Sequence, residues 1–576
     1  MIQSIKRNFS LLLVAILSSF LHAQEVPTPP LDIPLKLSGT FGEFRPTHFH
    51  AGLDIKTQGK EGFKVSSIKA GSVRRIKVST TGYGKCLYIQ HEDGTTTVYA
   101  HLKKFATKIE SFIKAYQYEK ETFLTQKFLK LGEMTVEKGE VIGYSGNTGG
   151  SLGPHLHFEI RDTKTEIPLN PLQLGFKIPD SIRPIVQSFY RYKKEGDGLS
   201  EKTQLPIERI NDSVYQADLQ RLGGIHAFGI RLFDRQDLSY NRNGIYKAVV
   251  KVNGEEKFSY TFDKIDFRDG KKIDALIDYP TYREERIRIQ KLFRDLDVDY
   301  SFLPKIAPDG FVNFEKDRAY QIEIVVEDYT HNKTYISFYV EGKDDFPAAP
   351  VAAMKNPIAI DKDYLFAFEQ HEVYVPKNTF YQSIDLVINE KKDTLIIEEI
   401  PFPQRKGFEL SVAIPKALDS IERQQLSLAV YDPKEEKKEE EKEEEKEEKQ
   451  QLRYVWTAKK DNILQTKYAY AGQYVLTKDS LAPTIKPLNF KDQQWMSNYK
   501  FLEVEVDDEF SGIKSYRATI NGQWILMEHE PKNKTLIYSF ADIKFDQTQL
   551  NFELEVEDQV GNSSVFNATI FRKQSK

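Results

Sequence analysis

At 576 residues the chain is too long for a single hydrophobic core, and roughly three to five domains are expected. Its composition, 40% hydrophobic, 12% aromatic and 29% charged, is that of a globular protein. The net charge of −4 points to no particular partner, and a single cysteine, Cys86, excludes an internal disulfide.

The chain opens with "MIQSIKRNFSLLLVAILSSFLHAQE", in which Lys6 and Arg7 precede an apolar stretch from Phe9 to Leu21 and a small residue, Ala23. This reads as a secretory signal peptide over residues 1–23, too short for a spanning helix. No cysteine follows it, which argues against a lipoprotein anchor. No later stretch reaches the roughly 18 apolar residues of a membrane span. The mature chain is therefore expected to be exported, periplasmic or envelope-associated, with no membrane span after cleavage. Without disulfides it must rely on packed cores, and Cys86, in the strand-like "GKCLYIQH", reads as one buried residue of such a core.

Residues 24–178 hold 21 Lys and Arg against 16 Asp and Glu, a net +5, which leaves −11 on residues 179–576. A basic front on an acidic body suggests that the front meets an anionic polymer, and export makes nucleic acid a poor candidate. From residue 36 to 175 glycines punctuate short alternating segments, such as "KVSSIKAGSVRRIKVST" and "VEKGEVIGYSG", that predict strands joined by tight turns. "HEDGTTTVY" predicts a hairpin. Residues 103–133 break the pattern: Phe105, Ile109, Phe112, Ile113 and Tyr116 stand at helical spacing and predict one or two helices inserted between strands.

Beyond 178 the chain is strand-rich and contains an internal repeat. "DSIRPIV" at 180 matches "DSLAPTI" at 479, "NGIYKAVVKVNG" at 243 matches "SGIKSYRATING" at 511, and "IEIVVEDYTHN" at 322 matches "FELEVEDQVGN" at 552. Three matches in one order predict two copies of a β-domain, 179–345 and 479–576, of immunoglobulin-like sandwich type. A third β-rich unit, 351–478, lies between them after the linker "GKDDFPAAP". The low-complexity run at 434–451 has no apolar face and reads as a loop insertion without chemistry. The "ED…N" segments read as turns, with a calcium seat as the alternative.

Six of the 11 histidines fall between 48 and 157. "HFHAGLDI" offers His50 and Asp54, "VYAHL" offers His101, and "SGNTGGSLGPHLHFEI" offers His155 and His157. Side chains at i and i+2 of a strand share a face, so His155 and His157 should project together while Leu156 and Phe158 face away. Two imidazoles on one face suit a metal site or a proton-transfer pair, and a surface pair without a role is the bland alternative. A hydrolytic zinc site needs three protein ligands and an open position, plus a further group for the proton or the oxyanion.

The ordered set "FHAGLDI … GYGKCLYIQHEDGTTTVYAHL … VEKGEVIGYSGNTGGSLGPHLHFEIR" closely resembles the LytM or lysostaphin-like zinc metallopeptidases over residues 36–175. The resemblance implies a β-rich zinc peptidase domain at 24–178, with His50, Asp54 and His157 as Zn2+ ligands. It also implies His101 and His155 as the non-ligand pair that activates water and stabilises the transition state. A peptidoglycan peptide is the substrate that the family implies, with envelope protein partners for the β-domains. The lengthened segment after His101 departs from the family pattern and is expected to border the groove. A non-catalytic regulator that activates another wall hydrolase is the alternative, although such relatives lack parts of the metal set and this chain keeps all five residues. His91 reads as exposed beside a turn. His48 stands off the motif, and His226, His331, His371 and His529 read as structural. His331 aligns with a glycine of the second copy, a turn position.

Overall fold

The computed structural model describes residues 27–196, 198–237, 239–305, 308–345, 354, 357–431 and 452–573. The predicted signal peptide and the low-complexity run lie outside the described residues. The fold is mainly β, as expected. No helix among the described residues is long and apolar enough to cross a membrane.

Residues 37–169 form twelve strands and one helix. In chain order they are β1 (Leu37–Gly39), β2 (Leu53–Lys56), β3 (Lys64–Ser66), β4 (Gly71–Val78), β5 (Cys86–Gln90), β6 (Thr95–Ala100), β7 (Leu102–Phe105) and α1 (Thr107–Lys120). Then come β8 (Thr125–Phe128), β9 (Thr135–Val136), β10 (Val141–Ser145), β11 (His155–Asp162) and β12 (Pro168–Leu169). The main sheet runs β1-β2-β11-β6-β5-β4-β8, and β3-β10-β7 form a small second sheet. The predicted hairpin is β5–β6, closed by Gly94 at φ 81°. Cys86 is fully buried, as the strand reading required.

The insertion after His101 holds one helix and then a strand. Glu121 takes the left-handed conformation at φ 47° and ends α1, and the alternating Thr125–Phe128 then joins the edge of the main sheet against β4. A second helix is excluded because these residues pair where a sheet edge is open. Ile109 and Ile113 anchor α1 to the core, as their spacing predicted.

The repeat is visible in the pairing. Lys247–Val252 pairs antiparallel with Ala319–Glu327, and Ile513–Ile520 pairs antiparallel with Gln549–Asp558, so the matched segments take matched places. In the second copy two sheets enclose a core that includes Val504, Tyr538, Phe552 and Ile570. Between the copies two five-stranded sheets enclose Leu395, Phe408, Leu428 and Leu464. The strands on either side of the undescribed residues 432–451, Leu426–Tyr431 and Leu452–Val455, pair antiparallel.

One buried cluster runs without a break from Leu31 through the main sheet to Phe338 of the first copy. The second copy also docks onto the N-terminal part, through the insertion: Lys114 pairs with Asp542 at 2.8 Å, Arg517 with Glu121 at 2.6 Å, and Tyr118 meets Trp524 edge-on. Buried Lys85 pairs with Glu528 at 2.7 Å. Replacing Glu528 by Gln removes the carboxylate paired with that ammonium among the described residues and should cost about 1–3 kcal/mol in denaturant unfolding. A Lys85→Met, Glu528→Gln double variant should recover part of that loss, because no buried charge then remains.

Candidate metal and catalytic centre

The five residues singled out by the motifs meet at one point on the main sheet. β2 and β11 pair so that His157 faces Asp54 across the ladder and His155 faces Lys56. His155 and His157 share a face, while Leu156 and Phe158 are fully buried on the other, as strand alternation predicts. His50 comes from the hairpin before β2. His101 sits where the chain leaves the main sheet for the small one, at φ 57°, a left-handed conformation that a non-glycine residue adopts only where its surroundings enforce it. Gly52 is required by close approach, since a Cβ there would lie 2.4 Å from the Phe158 carbonyl oxygen.

Three donor atoms converge. His50 Nε2 lies 3.1 Å from Asp54 Oδ1 and 3.1 Å from His157 Nδ1, and His157 Nδ1 lies 2.9 Å from the same Asp54 oxygen. The opposite ring nitrogens decide the tautomers. His50 Nδ1 donates to the Thr40 carbonyl at 2.8 Å, and His157 Nε2 donates to Glu159 Oε1 at 2.8 Å. The inward nitrogens of both rings therefore face one carboxylate oxygen, and once deprotonated they would offer lone pairs to a shared cation. Of the described groups able to hold a metal ion, this is the one that contains histidine.

His101 and His155 flank the trio. Their ring centroids are 4.8 Å apart, and His155 Nε2 lies 3.3 Å from Asp54 Oδ1. His101 Nδ1 donates to the Thr148 carbonyl, and His155 Nδ1 to the Gly153 carbonyl, each at 2.8 Å, which leaves both Nε2 atoms as bases. Burial, with His157 and His155 nearby, pushes His101 down to about 3, so its imidazole is neutral at every ordinary pH. Burial also works against a charge on His157, but bonds to Asp54 and Glu159 overcome it and hold the ring up at about 9. Burial opposes the Asp54 charge too, yet the three surrounding histidines hold its carboxyl well below the usual range.

Several partners of these residues were not singled out by the motifs. Glu159 is fully buried, bonds His157, Tyr83 and Arg161, and follows His157 by two residues on the same strand face, so the alternation in "HLHFE" could have revealed it. Arg45 binds Asp54 Oδ2 at 2.9 Å and also pairs with Glu43. Glu159→Gln keeps the shape but removes the charge that orients His157, and metal affinity should fall about 10–100-fold in a competition titration. Of the remaining histidines, His48 is exposed and does not belong to the converging group. His91 corrects the expectation of exposure: it is 3% exposed, because its ring bonds the Ala70 carbonyl and the Thr97 hydroxyl beneath the hairpin. His331 takes φ 68° and Gly561 takes φ 99°, so the aligned pair is indeed a turn position.

The family model for peptidase family M23 matches residues 48–118 and 124–171. The DD-carboxypeptidase/endopeptidase Mpg of Neisseria meningitidis is 30% identical over 150 residues, 26% of this chain and 28% of that protein. An uncharacterized metalloprotease of Haemophilus influenzae is 33% identical over 138 residues, 24% of this chain and 22% of that protein. The chain thus matches less than a third of the length of these relatives. Among solved structures, a zinc-containing peptidase from Vibrio cholerae is 26% identical with a TM-score of 0.19, covering 24% of this chain and 37% of that one. The catalytic domain of lysostaphin from Staphylococcus simulans is 24% identical with a TM-score of 0.18, covering 24% of this chain and 90% of that one. The segment that builds the histidine centre is the segment that matches the family model of peptidase family M23.

Proposed function

We propose that the protein is an exported zinc endopeptidase that hydrolyses the peptide cross-links of peptidoglycan. The observation that carries this reading is the convergence of His50 Nε2, Asp54 Oδ1 and His157 Nδ1, each inward nitrogen freed by an outer acceptor. Two imidazoles and a carboxylate are the donor set of a hydrolytic zinc site. When bound, zinc supplies a Lewis acid for the scissile carbonyl and brings the pKa of water to about 7.

His101 and His155 do the remaining work. Each holds its Nδ1 proton on a backbone carbonyl and presents Nε2 toward the centre. One accepts the proton of the attacking water, and the resulting imidazolium, beside a neutral partner, stabilises the oxyanion and returns the proton to the leaving amine. Mpg, named for carboxypeptidase and endopeptidase activity, supports a cell-wall peptide as the substrate. The basic front, net +5 over residues 24–178, supports an anionic wall polymer.

The organisation we propose is a signal peptide at 1–23, the peptidase at 24–178, and three β-units at 179–345, 351–478 and 479–576. In the last unit the sheet orders support an immunoglobulin-like sandwich that positions the peptidase on its wall or partner. Incubating the zinc-loaded protein with peptidoglycan sacculi should release cross-link fragments identifiable by mass spectrometry, and His155→Ala should release none. Intact sacculi with a zinc-saturated wild type would sink the endopeptidase reading and favour a regulator.

A further inference from the structure

Outside the histidine centre, three aspartates meet where the first β-unit joins the peptidase. Asp180 lies on the connecting segment, Asp234 directly follows the strand Gly224–Phe233, and Asp328 opens the turn after Ala319–Glu327. One oxygen of each lies within 4.8 Å of the others. They line a cleft of about 360 Å³ that also takes in Thr40 and Asn170 of the peptidase part.

The cluster is short of donors where it is most buried. Asp234 is 2% exposed, and its Oδ1 has no hydrogen-bond partner among the described residues. Asn243, also 2% exposed, pairs with Asp234 through both backbone bonds, so the two side chains stand on the same side of the ladder. Neither the oxygen nor the nitrogen of its amide has a hydrogen-bond partner among the described residues. A buried unpartnered polar group costs about 1–3 kcal/mol, and Asp234 and Asn243 together carry three such atoms.

The second copy repeats the cluster as Asp479, Asp508 and Asp558. In both copies an asparagine amide, Asn332 or Asn562, bridges a carboxylate and a linker carbonyl: Asp328 Oδ2 and the Asp180 carbonyl, or Asp558 Oδ2 and the Asp479 carbonyl. Ser511, the residue aligned with Asn243, donates its backbone N–H to Asp479 and its hydroxyl to Asp508, which places the aligned position at the cluster. There the backbone N–H groups of Phe510 and Gly512 satisfy Asp508. No such donors serve Asp234 Oδ1 in the first copy.

We infer that Asp180, Asp234 and Asp328, with the Asn243 amide oxygen, bind a calcium ion at the junction of the peptidase and the first β-unit. The donors are all hard oxygens, which excludes the zinc-type chemistry of the histidine centre, and three carboxylates with an amide and water reach the six to eight ligands that calcium takes. Burial and the facing Asp328 and Asp180 carboxylates push Asp234 up to about 9, and burial and Asp328 push Asp180 up to about 7, so the trio cannot be fully ionised at neutral pH without a counter-charge. Because one ligand sits on the connecting segment, the ion would fix how the β-unit meets the peptidase.

The test is calorimetric titration of calcium chloride into the calcium-free full chain with the histidine centre kept saturated with zinc, alongside thermal unfolding. Wild type should bind calcium and melt higher with it. Asp234→Asn should bind one calcium fewer per chain, and without calcium it should melt no lower than wild type, because it removes a buried repulsion. Asp180→Asn, at the less buried edge, gives a second reading if Asp234→Asn does not fold, and should weaken calcium binding at least tenfold. Absence of calcium binding in wild type, an unchanged stoichiometry and affinity in both variants, or magnesium matching calcium would overturn the assignment.

Discussion

Replacing His157 or Asp54 by Ala should strip the chain of zinc, while His101→Ala or His155→Ala should leave the zinc in place and still abolish turnover. The split follows from where the nitrogens point. His157 Nδ1 and Asp54 Oδ1 belong to the converging trio, at 2.9 Å from each other. His101 stands beside the trio and outside it, its ring centroid 4.8 Å from that of His155 and 5.8 Å from that of His157. Loss of a general acid or base costs about 10²–10⁴-fold in rate. Loss of one ligand in three takes the metal and with it all activity. Metal content by mass spectrometry of the purified variants, read beside kcat/KM, separates the two groups, and a zinc-free His155→Ala would show that the assignment of ligands is wrong. The same geometry predicts a pH dependence. In the metal-free chain bonds to Asp54 and Glu159 raise His157 to about 9, so below that pH a proton must leave as the cation enters. Apparent zinc affinity should therefore rise with pH, by up to roughly tenfold per unit, until the ring deprotonates unaided.

The five residues that meet on the main sheet stand out in the sequence as an ordered motif set, and strand alternation fixes His155 and His157 on one face. What orients them was mostly not legible. Thr40, Thr148 and Gly153 act through backbone carbonyls, which carry no residue identity in a sequence. Arg45 reaches Asp54 only because a hairpin folds it back. The insertion was half read: the helical spacing of Ile109 and Ile113 predicted α1, but the Thr125–Phe128 strand exists because β4 leaves an open edge, a tertiary fact. The repeat was read from three short matches, yet the contact of its second copy with α1 rests on single pairs such as Lys114 with Asp542, which no local pattern announces.

The largest effect on stability is expected from Phe262→Ala, a residue of the first β-unit far in sequence from the histidine centre. The hairpin that carries His50 is closed by backbone bonds between Gly42 and His50 and between His50 and Glu43. Its tip, Phe44 and Phe49, is buried in an aromatic nest contributed by the following unit. Phe49 lies 6.0 Å from Phe262 and 5.1 Å from Phe302, and Phe262 lies 4.8 Å from Phe302, between ring centroids. Phe262 is fully buried, and Arg288 secures the hairpin by donating to the Phe44 carbonyl at 2.7 Å. Truncating a buried phenylalanine costs about 3–5 kcal/mol. Here the cavity opens directly under the segment that aims one metal ligand, so stability and zinc affinity should fall together, measured by denaturant unfolding and by competition with a chromogenic chelator. Phe338→Ala, buried in the same cluster but packed against Phe189 and Phe228, should lower stability by a similar amount and leave the zinc affinity of the folded fraction unchanged. If Phe262→Ala also keeps wild-type zinc affinity, the hairpin holds His50 by its own backbone bonds, and the β-unit supports the peptidase without positioning its metal.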